Sequence, residues 1–116
     1  MKNIHYALQG FLAALRSERN MRFHLVAAML VVAAGIWLSI SKVEWLIIIL
    51  CIALVLSFEL MNTAIEQLCN IVTIEKHSAI KIVKDIAAAA VLVVSVASAV
   101  IGLLIFAPKL LFLFNL

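Results

Sequence analysis

Trp45-Leu46-Ile47-Ile48-Ile49-Leu50-Cys51-Ile52-Ala53-Leu54-Val55-Leu56-Ser57-Phe58 carries no charged side chain and ends against Glu59. A helix needs about 20 such residues to cross the hydrocarbon layer of a bilayer. To reach that length this one must start near Val43 and take in Glu59, Asn62 and Glu66, giving a span over residues 43–66. No proline or glycine interrupts the stretch through Asn70, so the helix is expected to continue past the hydrocarbon edge. In lipid every backbone polar group must be satisfied within the segment, which helices achieve. The run therefore reads as part of an all-α membrane protein.

The flanks repeat the pattern. Residues 21–40 form a first span whose centre, residues 25–38, has no charge. Ser39-Ile40-Ser41-Lys42 then leaves room only for a tight helical hairpin. A third span covers residues 85–107, with Pro108 and Lys109 marking its end and an apolar tail, residues 110–116, at the interface. Between the second and third spans, residues 71–84 form a polar connection with Glu75, Lys76, His77, Lys81 and Lys84. Ahead of the first span, Ile4, Leu8, Phe11, Leu12 and Leu15 recur at helical spacing. That pattern predicts an amphipathic surface helix over about residues 4–20, lying in the membrane interface.

Composition agrees. The chain has 116 residues, 67% of them hydrophobic, and a mean hydropathy of +1.25. Soluble domains are nearer half apolar, and a chain this short has little interior in which to hide the excess. One domain, residues 1–116, is expected. The net charge of +3 does not imply nucleic acid, because the basic residues flank apolar segments rather than form a dense patch. Lys2, Arg16, Arg19 and Arg22 precede the first span, and Lys76, Lys81 and Lys84 separate the second from the third. Only Lys42 and Lys109 fall on the other side. By the positive-inside rule the N-terminus is cytoplasmic. Residues 1–22 lack the unbroken apolar core of a cleavable signal peptide. The two cysteines, Cys51 and Cys69, match no metal-ligand spacing and read as small buried hydrophobes.

Four acidic residues, Glu18, Glu59, Glu66 and Asp85, sit inside or against spanning helices, where charge costs about 2.5–3.5 kcal/mol on insertion scales. Glu59, Asn62 and Glu66 are spaced i, i+3, i+7, on one helical face. Two carboxylates and an amide there can bind a divalent cation, since Mg²⁺ is typically held by one or two carboxylates plus substrate phosphates; one carboxylate can instead serve as a base. Lys84 and Asp85 suit a phosphate and a metal, although Lys81 and Asp85 at i, i+4 can equally form a plain surface pair. Gly10, Gly35 and Gly102 are scattered and make no phosphate loop. His5, His24 and His77 have no ligand spacing and read as helix-end hydrogen bonders. Trp37 and Trp45 read as interface anchors.

These residues carry a family resemblance. Glu59-Leu-Met-Asn62-Thr63-Ala64-Ile65-Glu66 resembles the E-x-x-N-[ST]-A-I-E signature of the prokaryotic integral-membrane diacylglycerol kinases, a family that includes undecaprenol kinases. Lys84-Asp85-Ile86-Ala87-Ala88-Ala89-Ala90-Val91 resembles their A-K-D-x-[AG]-[AS]-[AG]-A-V segment. Glu18-Arg19-Asn20-Met21-Arg22-Phe23-His24-Leu25 resembles the E-x-N-[FM]-R-x-H-L stretch, and Tyr6 with Gly10 fits a Y-x-x-x-G element. The resemblance covers essentially the whole chain.

The resemblance implies a homotrimer of three-span protomers with shared cytoplasmic active sites in the bacterial inner membrane. It implies ATP-dependent phosphorylation of a lipid alcohol, with undecaprenol favoured over diacylglycerol because the N-T-A-I-E and E-R-N-M-R-F-H-L forms look closer to the undecaprenol kinase branch. It makes Glu59 the general base, Glu18 and Glu66 Mg²⁺ ligands, and Asn62 their support. Lys84, Asp85, Tyr6 and Lys2 are assigned to the nucleotide. Asn70 stands where the family often has Asp, Gln9 replaces a frequent Lys, and Ala87 replaces a common Gly. A small ion- or proton-coupled transporter subunit is the alternative reading, since intramembrane carboxylates also suit ion pathways; an enzymatically silent bundle subunit is a third.

Overall fold

The computed structural model describes residues 2–72 and 77–115; Glu75 and Lys76 of the polar connection lie outside the described residues. Four helices follow in order: α1 Lys2–Ser17, α2 Arg19–Trp37, α3 Lys42–Val72 and α4 Ser78–Leu113. The protein is all-helical over these residues. α2, α3 and α4 are each long and apolar enough to cross a membrane.

The interior of the single chain is small. Ala14, Met21, Ile40, Ile48, Cys69 and Ala87 are its buried hydrophobic residues among those described, whereas Phe23, Leu30, Leu50, Leu92 and Leu104 stand exposed. Exposed apolar area on this scale is not sustained in water; it is the surface that lipid and neighbouring helices cover. Ile4, Leu8 and Leu12 of α1 are exposed in the same way, which suits a helix resting its apolar face in the interface.

α3 is the helix on which the others assemble. It packs along α4 and also meets α2 and α1, whereas among the described residues α4 meets neither α1 nor α2. The α2–α3 hairpin is tight for two reasons. Ser41 and Glu44 form a reciprocal capping box: the Ser41 backbone N–H donates to Glu44 Oε1 at 2.9 Å and the Glu44 N–H donates to Ser41 Oγ at 3.2 Å, satisfying donors that a helix start leaves unpaired. Gly35 lets the Trp45 indole lie against the α2 backbone, where a Cβ would fall 2.8 Å from Trp45 Cη2. Trp45 is thus a packing residue of the hairpin. At this same end Lys109 of α4 pairs with Glu44 at 3.0 Å.

Several boundaries differ from the sequence expectation. The surface helix ends at Ser17, and Glu18 adopts an extended backbone (φ −121°, ψ 119°) before α2, so residues 4–20 are not one helix. Most of the connection assigned to residues 71–84 is helical, because α3 runs to Val72 and α4 begins at Ser78. α4 also continues through Pro108 to Leu113. Proline removes its own N–H from the ladder and crowds the carbonyl four residues back, yet the helix continues past it, and the Phe114 N–H closes onto the Leu110 carbonyl at 3.1 Å.

Candidate active site

The break at Glu18 creates an elbow between α1 and α2. Arg22 fixes it: Arg22 Nη1 donates to the Leu15 carbonyl at 2.7 Å and to the Arg16 carbonyl at 3.1 Å. These are carbonyls that a helix end leaves unpaired, and a cation is favoured at that terminus. Met21, fully buried, anchors the start of α2. Glu18 occupies the N-cap position of α2 yet makes no side-chain cap bond. Its carboxyl faces Glu66 of α3 instead, close enough for a hydrogen bond between the two.

That juxtaposition has an electrostatic consequence. Partial burial, the Glu66 charge, the hydrogen bond to Glu66 and the more remote Glu59 charge together hold the Glu18 carboxyl above the ordinary glutamate range, with Arg22 opposing them. Two carboxyls facing each other are the arrangement a cation relieves. The described residues hold no group of three or more His, Cys, Asp or Glu placed to form a closed metal cage. An open pair of carboxylates fits Mg²⁺, which keeps much of its coordination for water and phosphate.

One turn and more back along α3, Glu59 is only 1% exposed. Both of its carboxyl oxygens, and Asn62 Oδ1, are buried without a hydrogen-bond partner among the described residues. Such groups cost about 1–3 kcal/mol each when left unsatisfied, which sets Glu59 and Asn62 apart from the rest of α3. The Thr63 hydroxyl donates to the Glu59 backbone carbonyl at 2.9 Å and is not engaged with the carboxyl. Facing Glu59 from α2 is His24, whose Nε2 lies 3.5 Å from Glu59 Oε2. His24 is therefore not a helix-end hydrogen bonder; its expected role is corrected by this contact. Spacing along α2 gave no signal of this role, because the contact is made across to another helix. His77 does cap a helix, accepting from the Ala79 N–H at 3.1 Å through Nδ1.

The start of α4 joins the assembly through α3. Lys84 Nζ donates to Asn70 Oδ1 at 2.8 Å, one turn beyond Glu66. Asp85 instead pairs with Lys81 at 2.7 Å, with both side chains largely exposed. Of the expected site residues, Glu18, Glu59, Asn62 and Glu66 are thus gathered on one side of α3, Lys84 stands beside its last turns, and Asp85 is turned to a surface pair. Tyr6 and Lys2 lie exposed on α1.

A sequence model of the prokaryotic diacylglycerol kinase family matches residues 5–106. The chain is 45% identical over 109 residues to the undecaprenol kinase of Bacillus subtilis, covering 94% of this chain and 89% of that protein. It is 32% identical over 110 residues to a diacylglycerol kinase of Synechocystis, covering 94% of this chain and 63% of that one. A diacylglycerol kinase of Pseudomonas aeruginosa is 35% identical over 85 residues, covering 73% and 69% respectively. The relatives are kinases, and neither the transporter nor the silent-subunit reading finds support among them. With the match extending from the surface helix into the last span, through every motif that lines the carboxylate cluster, the chain belongs to the prokaryotic diacylglycerol kinase family of membrane lipid kinases.

Proposed function

We propose that the protein transfers the γ-phosphoryl group of Mg·ATP to the primary hydroxyl of a membrane lipid alcohol, undecaprenol in preference to diacylglycerol, at the cytoplasmic face of the bacterial inner membrane. The observation that carries the reading is the buried, unpartnered carboxyl of Glu59 beside the facing Glu18–Glu66 pair. The 45% identity to an undecaprenol kinase favours the polyprenyl acceptor.

In this mechanism Glu59 accepts the proton of the lipid hydroxyl as its oxygen attacks phosphorus. Its burial excludes the water that would otherwise compete as acceptor. Asn62, one turn along the same face, holds the hydroxyl toward Glu59. Glu18 and Glu66 are the side chains that hold Mg²⁺; the ion, when bound, offsets the negative charge that develops on the transferring group. Lys84 supplies a further positive charge to the phosphates. Asp85, Tyr6 and Lys2 contact the nucleotide, Asp85 after parting from Lys81. Catalysis rests on placement and electrostatics. The active unit is a homotrimer with its N-termini in the cytoplasm, in which neighbouring protomers cover the exposed apolar flanks and complete each site.

The test is phosphate transfer from labelled Mg·ATP in mixed micelles, offering undecaprenol and diacylglycerol separately, with Glu59→Gln as control. Transfer to undecaprenol that the substitution abolishes is the expected result. Transfer to diacylglycerol alone would reassign the acceptor. No transfer to either by folded wild-type protein would overturn the reading.

A further inference from the structure

A base that takes a proton at every turnover must also lose it, and the surroundings of Glu59 offer few exits. At 1% exposure the carboxyl does not meet bulk water. Thr63 is occupied with the backbone carbonyl of Glu59. Asn62 is buried beside it and has no titrating group. The Glu18 carboxyl is pushed above its ordinary range, in part by the charge of Glu59 itself, and under the function proposed above it is committed to the metal. Arg22 is committed to the α1 carbonyls.

His24 remains. Its Nε2 faces Glu59 Oε2 at 3.5 Å, and its side chain is 17% exposed where that of Glu59 is 1%. The imidazole thus meets the buried carboxyl through Nε2 while being itself less deeply buried, five residues from the start of α2. Neutral imidazole accepts at one nitrogen and donates at the other, which is the property a proton conduit requires.

We propose that His24 is the proton exit of Glu59, a positioning residue that acts on the reaction through the base and not on the substrate. After phosphoryl transfer the hydroxyl proton resides on the Glu59 carboxyl. It passes to His24 Nε2, leaving Glu59 as carboxylate and His24 as imidazolium. The imidazolium releases its Nδ1 proton to water, and exchange between the two ring tautomers through water restores an accepting Nε2. One proton enters from the lipid alcohol and one leaves to solvent, with no other reactant. The separation of 3.5 Å is long for direct transfer, and the donor that shortens it exists only once Glu59 is protonated.

The proposal rests on the kinase reading, and its test separates the two. Full-length wild type, Glu59→Gln, His24→Ala and His24→Gln are assayed in mixed micelles with Mg·ATP and the lipid the wild type phosphorylates. His24→Ala is expected to lower kcat roughly 10- to 100-fold while leaving KM for ATP and lipid unchanged. Added imidazole should restore much of that loss in His24→Ala and none in Glu59→Gln. The isosteric His24→Gln, which keeps the packing but cannot carry a proton, should remain slow. Wild-type kcat in either His24 variant overturns the proton exit while leaving the kinase intact, as does a folded His24→Ala that imidazole does not rescue. Should His24→Ala fail to fold, the kcat of His24→Gln decides alone. A wild type that transfers no phosphate overturns the kinase reading and this one with it.

Discussion

Lys84 on α4 donates to the Asn70 side-chain carbonyl on α3 at 2.8 Å, tying the first turns of one span to the last turns of another. The amide does the work that an aspartate would do with charge. A neutral acceptor leaves the positive charge of Lys84 uncompensated, and so available to a phosphate.

Asn70→Ala should release Lys84 and raise KM for ATP about fivefold, as expected for the net loss of about 1 kcal/mol with one hydrogen bond. Asn70→Asp should keep Lys84 in place but offset its charge, so KM also rises. Initial rates across an ATP series check both. An unchanged KM in both variants would remove Lys84 from the nucleotide site.

Divalent cation and proton should compete at Glu18. Its carboxyl is held above the usual 4.5 by partial burial and by Glu66. A raised carboxyl contributes stability that is full below the unfolded-state value and is lost as pH rises through the folded-state value. Without divalent cation, thermal stability in detergent should therefore fall as pH rises from 4.5 toward neutrality. Mg²⁺ should reverse the fall at the upper end, where it binds the deprotonated pair. Glu66→Gln should flatten the pH dependence and remove the Mg²⁺ response. Melting curves with and without chelator test this, and a Mg²⁺ stabilisation that ignores pH would refute it.

Gly35→Ala should destabilise the α2–α3 hairpin. The added methyl meets Trp45 Cη2 at 2.8 Å and Ile40 Cδ1 at 3.1 Å. Overpacking of this kind costs about 1–3 kcal/mol. Shortening the ring with Trp45→Leu should recover most of the loss in the double variant, a coupling that a double-mutant cycle measures directly.

At the same end of the molecule, Ser41→Ala removes one half of the capping box and should cost about 0.5–2 kcal/mol. Glu44→Gln keeps an acceptor for the Ser41 N–H but loses the ionic partner of Lys109, and should have the smaller effect. Thermal melts of the two variants in one detergent rank them; the reverse order would show that the ion pair, not the cap, secures the turn.

The legible part of this molecule was what depends on spacing along one helix. The charge-free run before Glu59 announced a span, and the i, i+3, i+7 placement of Glu59, Asn62 and Glu66 announced a polar face. The Ser41-x-x-Glu44 pattern was also in the sequence as a capping signal, although hairpin length alone drew attention to that turn. Contacts between helices were not legible. His24 meets Glu59 across 35 positions of chain, and Arg22 closes carbonyls of the helix before its own. Neither follows from periodicity, because both depend on the elbow at Glu18. Pro108 misled for a different reason: a proline costs a helix one donor and some local crowding, and α4 runs through it to Leu113 all the same.

α3 also works as a ruler. Its 31 residues measure ~46 Å at the usual rise, against ~30 Å of hydrocarbon. From Glu44, which pairs with Lys109, Glu59 stands ~23 Å further along the axis and Glu66 ~33 Å. Under the proposed function, a base nearer the middle of this helix and a metal ligand nearer its end would let an oily alcohol and a hydrophilic nucleotide meet without either one leaving its own phase.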